Sequence, residues 1–227
     1  MNATDGGTLP AGAAARRTVE RLCRTSVRQA GVDGCGLSAL TKAGTPLALH
    51  ATNRIAAAIE DLQFTLGEGP CMDAAAAGAP VLVSDLRDPS EGVAGRWPAF
   101  LDEVDRVGVR AVFAFPVRIG AIALGVMDLY RSEPGGLSQD QLATTFSTVD
   151  ALSRSMLDWE RVTPEEPDES YPLTVHQAAG MVMVQLDTTI DEALLRLRAA
   201  AYRDGRPVSD LAADVVAGRY TLGEEQT

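Results

Sequence analysis

The segment 164–169, Pro-Glu-Glu-Pro-Asp-Glu, most strongly limits how this chain can fold. Proline lacks the backbone donor that a helix needs, and its ring clashes with the preceding helical turn. Two prolines and four acidic residues in six positions cannot form a core, so the segment is typical of a linker. We predict five regions in chain order: a flexible tail (1–15), a larger unit (16–161), the acidic linker (162–170), a small helical unit (171–220) and a second tail (221–227).

The larger unit shows short apolar runs separated by turn residues and by stretches with helical spacing. The runs 111–119 and 121–130 meet at Gly120, which predicts a tight hairpin of two central strands. Strands are also expected at 35–40, 46–52 and 81–84. Strands placed before and after helices indicate an α+β fold, with an antiparallel sheet flanked by helices.

A long helix is expected to begin at Ser138, because Gln141 three residues later completes a capping box. Its apolar stripe alternates in steps of four and three residues and contains Leu142, Phe146, Val149, Ser153 and Met156. That spacing fits the seam of a homodimer. It fits equally well the packing of the helix against its own sheet.

The C-terminal unit has the spacing of three short helices. Val175 lies in the first apolar stripe, Thr189 and Glu192 form a capping box for the second helix, and Ser209 is expected to cap the third. Because three short helices bury little apolar surface, we expect docking or dimerisation to support this unit.

Net charge limits the classes of partner. The chain carries a formal net charge of −11 at pH 7, and only Lys42 among its 20 basic residues is a lysine. Since phosphate affinity depends on clustered cations, generic binding of nucleic acid is excluded and only a local site remains. No apolar run is long enough to span a bilayer and no secretory signal is visible, so we expect a cytoplasmic protein without membrane contact.

No chemistry of catalysis or metal binding is evident in the sequence. Three cysteines form no CxxC pair, cysteine and histidine lack metal-ligand spacing, and no Ser-His-Asp set stands out. We therefore predict no catalytic residue, no metal ligand and no enzyme activity. The sequence does not identify a cofactor.

Three motifs resemble the ANTAR family. They are Val175-His-Gln-Ala-Ala-Gly-Met-Val-Met183, Asp191-Glu-Ala-Leu-Leu-Arg-Leu-Arg198 and Val208-Ser-Asp-Leu-Ala-Ala-Asp-Val-Val216. The resemblance implies a three-helix module that binds paired RNA hairpins as a dimer and acts in transcription antitermination. The family often carries a basic residue where this chain has Ala179, so one phosphate contact is expected to be absent.

RNA hairpin loops are recognised by shape, base stacking and hydrogen bonds. The C-terminal unit offers an amide, a glycine that permits close approach, arginine forks and an aromatic ring for these contacts. The candidates are Gln177, Gly180, Arg196, Arg198, Tyr202, Arg203 and Arg206. The residues 171–227 contain five arginines and eight acidic residues, so each arginine has an ion pair within the unit as its alternative role.

The N-terminal unit resembles a GAF sensor domain in Phe64-Thr-Leu-Gly-Glu-Gly-Pro-Cys71, Arg96-Trp-Pro-Ala-Phe100, Val109-Arg-Ala-Val-Phe-Ala-Phe-Pro116 and Gly125-Val-Met-Asp-Leu-Tyr130. The resemblance implies a domain that binds a small ligand or dimerises. Candidate pocket residues are Gly67, Glu68, Cys71, Phe113, Phe115 and Met127. Cys71 could carry a lowered pKa at a helix start, or it could be a small buried core residue. The aromatic residues and Met127 have core packing as their alternative.

These features favour an RNA-binding antitermination regulator in which the sensor gates the RNA module. Two alternatives remain open. In the first, the helical C-terminal unit docks on a protein partner and RNA binding has been lost. In the second, Cys71 acts as a thiol-based redox sensor.

Overall fold

The computed structural model describes residues 11–40, 44, 46–162 and 171–223. In the N-terminal unit, residues 11–162, five strands form one antiparallel sheet in the order β2-β1-β5-β4-β3. The strands are β1 (Gly34–Leu40), β2 (Pro46–Ala51), β3 (Val81–Val83), β4 (Ala111–Ile119) and β5 (Ile122–Arg131). The antiparallel sheet flanked by helices confirms the predicted α+β class.

The helices cover both faces of this sheet and form the C-terminal unit, residues 171–223. In the described residues they are α1 (Ala11–Ala30), α2 (Arg54–Leu66), α3 (Pro70–Ala77), α4 (Pro98–Arg106), α5 (Gln139–Val162), α6 (Tyr171–Gln185), α7 (Ile190–Arg203) and α8 (Val208–Val216). A short 3-10 helix spans Pro89–Glu91. One prediction is wrong here: residues 11–15 belong to α1 and not to a flexible tail, because the Ala-rich start has high helix propensity.

The central hairpin turns at Gly120, as predicted, where the backbone has φ of 58°. Alternate residues of a strand face opposite sides of the sheet. Phe113 and Met127 therefore face one helical layer, whereas Val112 and Asp128 face the other. This alternation decides which side chains can reach a pocket on either face.

The first layer contains α1 and α5. The Ser138–Gln141 capping box forms as predicted, with Gln141 N donating to Ser138 Oγ at 3.2 Å and Ser138 N to Gln141 Oε1 at 2.8 Å. Val149 and Met156 of the α5 stripe are buried in the core with the sheet, whereas Phe146 is 47% exposed. The C-terminal part of the stripe therefore packs against its own unit, and the dimer seam stays a prediction.

The second layer contains α2, α3 and α4. Asn53 caps α2 by accepting a hydrogen bond from Ala56 N at 2.9 Å, and Gly67 ends the helix with φ of 68°. Trp97 and Phe100 at the start of α4 pack edge to face, with ring centroids 6.1 Å apart. This layer forms a second buried cluster with Val112.

The C-terminal unit is the predicted bundle of three helices. Leu197 and Leu211 lie in its fully buried core, together with Phe64 from α2 of the N-terminal unit. Thr189 caps α7 by accepting a hydrogen bond from Glu192 N at 3.2 Å, as the capping box predicts. The described residues begin again at 171, so the predicted linker lies mostly outside them.

Candidate functional site

The candidate RNA-binding residues lie along α6 and α7 and in the turn that follows α7. Gln177 is exposed on α6, and a Cβ atom added at Gly180 would meet no neighbour within 4 Å. On α7, the Tyr202 side chain is 62% exposed. These three residues are therefore open to a partner, and they offer an amide, close approach and a stacking surface.

Arg198 is the exception, because it is held against the N-terminal unit. Its guanidinium carbon lies 4.2 Å from the centroid of the Phe64 ring, which is a cation–π contact. Phe64 is only 6% exposed and belongs to the buried core of the C-terminal unit. The Nε and Nη2 atoms of Arg198 are buried without a hydrogen-bond partner, and burial lowers the pKa of its guanidinium.

A second contact joins α2 to α8 close to Phe64. Ser209 Oγ donates a hydrogen bond to Asp61 Oδ2 at 3.4 Å. The prediction that Ser209 caps α8 is wrong, because the helix already begins at Val208 with Pro207 in the cap position. Burial, with a smaller contribution from Asp210, raises the pKa of Asp61 from 3.8 to about 7.

The other candidate arginines form ion pairs within the C-terminal unit, which is the alternative role that the sequence left open. Arg196 pairs with Glu192 at 2.9 Å, Arg203 with Asp204 at 3.2 Å and Arg206 with Asp214 at 2.5 Å. Each pair has at least one partner that is substantially exposed, and such pairs contribute little to stability. These pairs can therefore be exchanged for phosphate contacts at small cost.

Ala179 stands where the resemblance implied a basic residue, and it is fully buried in the core of the C-terminal unit. The absence of one phosphate contact at this position stays a prediction.

The loop between α2 and α3 contains the predicted pocket residues Gly67 and Glu68. Gly67 is exposed, and a Cβ atom added to it would meet no neighbour within 4 Å. Glu68 Oε1 accepts a hydrogen bond from Phe100 N at 2.7 Å, in the first turn of α4. A carboxylate stabilises a helix start in this position, so Glu68 joins the loop to α4.

Phe113, Phe115 and Met127 lie on the sheet face covered by α1 and α5. All three are at most 1% exposed and belong to that core. A small cavity lined by the buried carboxylates of Glu60 and Asp128 lies on the opposite face of the sheet. Strand alternation turns Phe113, Phe115 and Met127 away from this cavity, and they have the core packing that was the alternative to a role as pocket residues.

Cys71 lies at the start of α3 with 1% exposure. Burial raises the pKa of its thiol well above the ordinary value, and the nearby Asp128 and Glu60 raise it further. Of the two roles that the sequence left open for Cys71, the burial of the thiol favours a small core residue over a thiol with a lowered pKa, because desolvation and the carboxylates outweigh the effect of a helix of eight residues.

Cys71 belongs to a buried polar cluster that the sequence did not predict. One ligand-type atom from each of Glu60, Cys71 and Asp128 lies within 4.8 Å of the other two. Glu60 Oε2 accepts a short hydrogen bond from Ser38 Oγ. Glu60 Oε1 and both oxygens of Asp128 are buried with no partner outside the cluster, and within it Asp128 contacts the Glu60 carboxyl group and the Cys71 thiol. Burial raises the pKa of Glu60 well above its usual range and that of Asp128 to about 6.

A small cavity of about 10 Å³ adjoins this cluster and is lined by Gly36, Glu60, Asp128 and Tyr130, among others. A Cβ atom on Gly36 would overlap the Glu60 carboxylate, so glycine leaves the room that the carboxylate occupies. The signal in the sequence was Asp128, a carboxylate within the apolar strand 122–131, since aspartate is almost never buried unless it has a partner.

Comparison with known proteins identifies both units. A family model of the GAF domain matches residues 13–154, and a model of the ANTAR domain matches residues 173–216. No match was found among curated proteins. No helix in the described part of the chain is long and apolar enough to cross a membrane.

Solved structures support the fold of the N-terminal unit. A GAF domain region from Geobacter sulfurreducens superposes with a TM-score of 0.52 at 14% identity, covering 65% of this chain and 95% of that one. A sensor histidine kinase domain from Sinorhizobium meliloti gives a TM-score of 0.50 at 14% identity, covering 64% and 93%. At these identities the likeness concerns the fold alone.

Proposed function

Because this chain belongs to the GAF domain family and carries a C-terminal ANTAR domain, we propose that it is an RNA-binding transcription antitermination regulator. In this proposal the ANTAR module binds RNA hairpins and thereby disfavours an intrinsic terminator. The GAF domain senses a signal and gates that binding. The protein acts as a regulator in the cytoplasm, where nascent RNA is made, and not as an enzyme.

The docking of Arg198 on Phe64 is the observation that carries the gating proposal. Arg198 is a candidate RNA-contact residue, yet its guanidinium lies on a sensor helix with two nitrogen atoms buried and unpartnered. An arginine held in this way cannot at the same time offer its fork to a phosphate. The docked arrangement therefore withholds one RNA contact.

The docked state is expected to be held weakly enough to switch. A desolvated cation–π contact contributes about 2 kcal/mol, whereas burying unpartnered polar atoms costs about 1–3 kcal/mol. The carboxylate of Asp61 adds a further cost, because it is buried against α8 near Asp210. A signal worth only a few kcal/mol can thus shift the balance toward a released module.

The released module would present Gln177, Gly180 and Tyr202 together with the freed Arg198. The ion pairs of Arg196, Arg203 and Arg206 would exchange for phosphate contacts. Because the C-terminal unit is net negative, binding must depend on the shape and bases of the loops and on two modules acting together. We therefore propose that the RNA-bound form is a homodimer.

Binding to two RNAs of equal length tests the RNA-binding function. One carries two adjacent hairpins and the other the same stems with scrambled loops. Wild type is expected to bind the first RNA more tightly and to increase readthrough of an intrinsic terminator placed behind it. Tyr202→Ala should weaken binding roughly fivefold or more, since a stacked base contributes about 1–3 kcal/mol. Arg154→Ala, on an exposed site of α5, is the control.

Equal affinity of wild type for both RNAs would exclude specific hairpin recognition. Recovery of a protein partner by the C-terminal unit, together with no RNA binding, would favour the docking alternative. Readthrough that does not change on adding the protein would exclude antitermination even if RNA binds.

A further inference from the structure

The buried cluster of the GAF domain has the composition of a metal site. Glu60, Cys71 and Asp128 come from three elements, α2, α3 and β5, and their ligand atoms converge to within 4.8 Å of one another. We propose that these three side chains bind one divalent transition-metal ion of the zinc type.

The first argument is that the carboxyl groups of Asp128 and Glu60 face each other and the Cys71 thiol, with no cationic side chain of the described residues between them. Outside the cluster, both oxygens of Asp128 and Oε1 of Glu60 have no hydrogen-bond partner, and the two residues are 6% and 3% exposed. No ion pair in the described part of the chain reaches either carboxylate. A buried carboxylate without a partner is costly, and a bound cation would satisfy both groups at once.

The second argument is the available space. The cavity beside Glu60 and Asp128 has a volume of about 10 Å³, which is the room that one water-sized occupant needs. An organic ligand does not fit this volume, whereas a single ion does. Gly36 keeps the space for the Glu60 carboxylate, because a Cβ atom there would overlap it.

The donor set indicates the class of metal. Calcium and magnesium ions prefer oxygen ligands, and calcium takes at least six of them. Zinc accepts a thiolate at about 2.3 Å and carboxylate oxygens at about 2.0–2.2 Å in a tetrahedral arrangement. Ligand atoms in such a site lie roughly 3.5 Å apart, so only a small contraction of the cluster is required. The cysteine thiol, and any protonated carboxyl group, releases its proton when the ion binds.

The neighbours of the cluster resemble an outer shell that holds ligands in place. Ser38 Oγ donates to Glu60, and Gln63 Oε1 accepts a hydrogen bond from Cys71 N at 2.6 Å. Such contacts orient the ligands of metal sites. Glu60 also lies one helical turn before Phe64 on α2. An ion that draws in Glu60 would therefore act on the helix that holds Arg198, a consequence that rests on the proposed function.

Metal binding to the full chain tests the proposal without RNA. Chelator-treated protein is dialysed against Zn²⁺, Co²⁺ or Mg²⁺, both as folded protein and after refolding with one equivalent of ion, because the site is buried. We expect one Zn²⁺ or Co²⁺ per chain, no Mg²⁺, and thiolate-to-Co²⁺ charge-transfer absorption. Glu60→Gln, Cys71→Ser and Asp128→Asn should each weaken Zn²⁺ binding roughly tenfold or more. Cys23→Ser, a buried thiol on the other face of the sheet, is the control.

No bound ion by either route, or Co²⁺ bound without thiolate absorption, would overturn the proposal. Unchanged Zn²⁺ affinity in all three ligand variants would do the same. Neutral replacements of the carboxylates remove buried charge, so the metal-free variants are expected to fold with unfolding temperatures at or above that of wild type. A failure of RNA binding would leave this result unaffected, because no RNA is present in the assay.

Discussion

The guanidinium carbon of Arg198 lies 4.2 Å from the centroid of the Phe64 ring, so the ANTAR module and the GAF domain are in direct contact. Phe64 comes from α2 of the GAF domain but is buried with the helices of the ANTAR module. The two units therefore share one buried cluster, and their separation would expose the Phe64 ring.

Docking should weaken as pH rises from about 4 to 7, because of Asp61. In the docked state its pKa is about 7, against 3.8 for an ordinary aspartate. A raised pKa means that the docked state disfavours the ionised carboxylate. Below pH 4 the carboxyl group is protonated and docking carries no cost from its ionisation. This free-energy cost of docking then grows with pH, by up to about 4 kcal/mol, and levels off above pH 7. Asp210 on α8 and Arg198 on α7 are the charged groups that face this region of α2.

The change to make is Asp61→Asn, which keeps the shape of the side chain and removes its charge. The free energy of unfolding, measured between pH 5 and 8, should fall with pH in wild type and vary less in the variant. Asp150→Asn, at an exposed position of α5, should keep the wild-type slope. Identical slopes for wild type and Asp61→Asn would show that Asp61 is not buried against α8 in solution.

The native protein should be unreactive toward a thiol reagent at neutral pH. Cys23, Cys35 and Cys71 are all buried, and the thiolate is the reactive form. We expect negligible labelling of the folded protein and labelling of all three thiols after unfolding in guanidinium. Rapid labelling of Cys71 alone in the folded protein would instead support the thiol-switch alternative.

Gly180→Ala should separate stability from RNA binding, because we expect it to stabilise the ANTAR module and to lower the affinity for RNA. An added methyl group at this position in α6 meets no neighbour within 4 Å. Alanine is favoured over glycine in a helix by about 1 kcal/mol, so the ANTAR module should become slightly more stable. Affinity for paired-hairpin RNA should fall if the RNA backbone approaches Gly180 closely. A variant that is more stable and binds RNA as wild type does would remove Gly180 from the interface.

Local signals in the sequence were sufficient for the elements of the fold. The hairpin at Gly120, the capping box at Ser138 and the cap of α7 by Thr189 each depend on a few neighbouring residues, and each forms as predicted. The Glu192 side chain, which would complete the second box, pairs with Arg196 instead. Hydrophobic spacing alone was not sufficient to decide which surface an apolar helix stripe packs against. The α5 stripe fits a dimer seam or a core equally well, and only the assembled sheet shows that Val149 and Met156 are covered.

The candidate sites depended on contacts between distant parts of the chain. Phe113 and Met127 alternate correctly along their strands, but the sequence does not reveal which helical layer each face meets. Glu60 and Asp128 lie 68 positions apart, so their meeting is a property of the tertiary fold. The contact of Arg198 with Phe64 likewise requires the docked arrangement of two units, which no local pattern encodes.

The affinity of the full chain for a paired-hairpin RNA, compared between wild type and Phe64→Ala, tests most directly whether the sensor gates the RNA module. Removing the ring frees Arg198, so affinity should rise by up to roughly 5- to 30-fold, the effect of about 1–2 kcal/mol. Arg198→Ala in the same background should abolish the gain, and Phe146→Ala, a half-exposed ring on α5, should leave affinity unchanged. A folded Phe64→Ala variant that binds RNA no better than wild type would contradict gating by this contact.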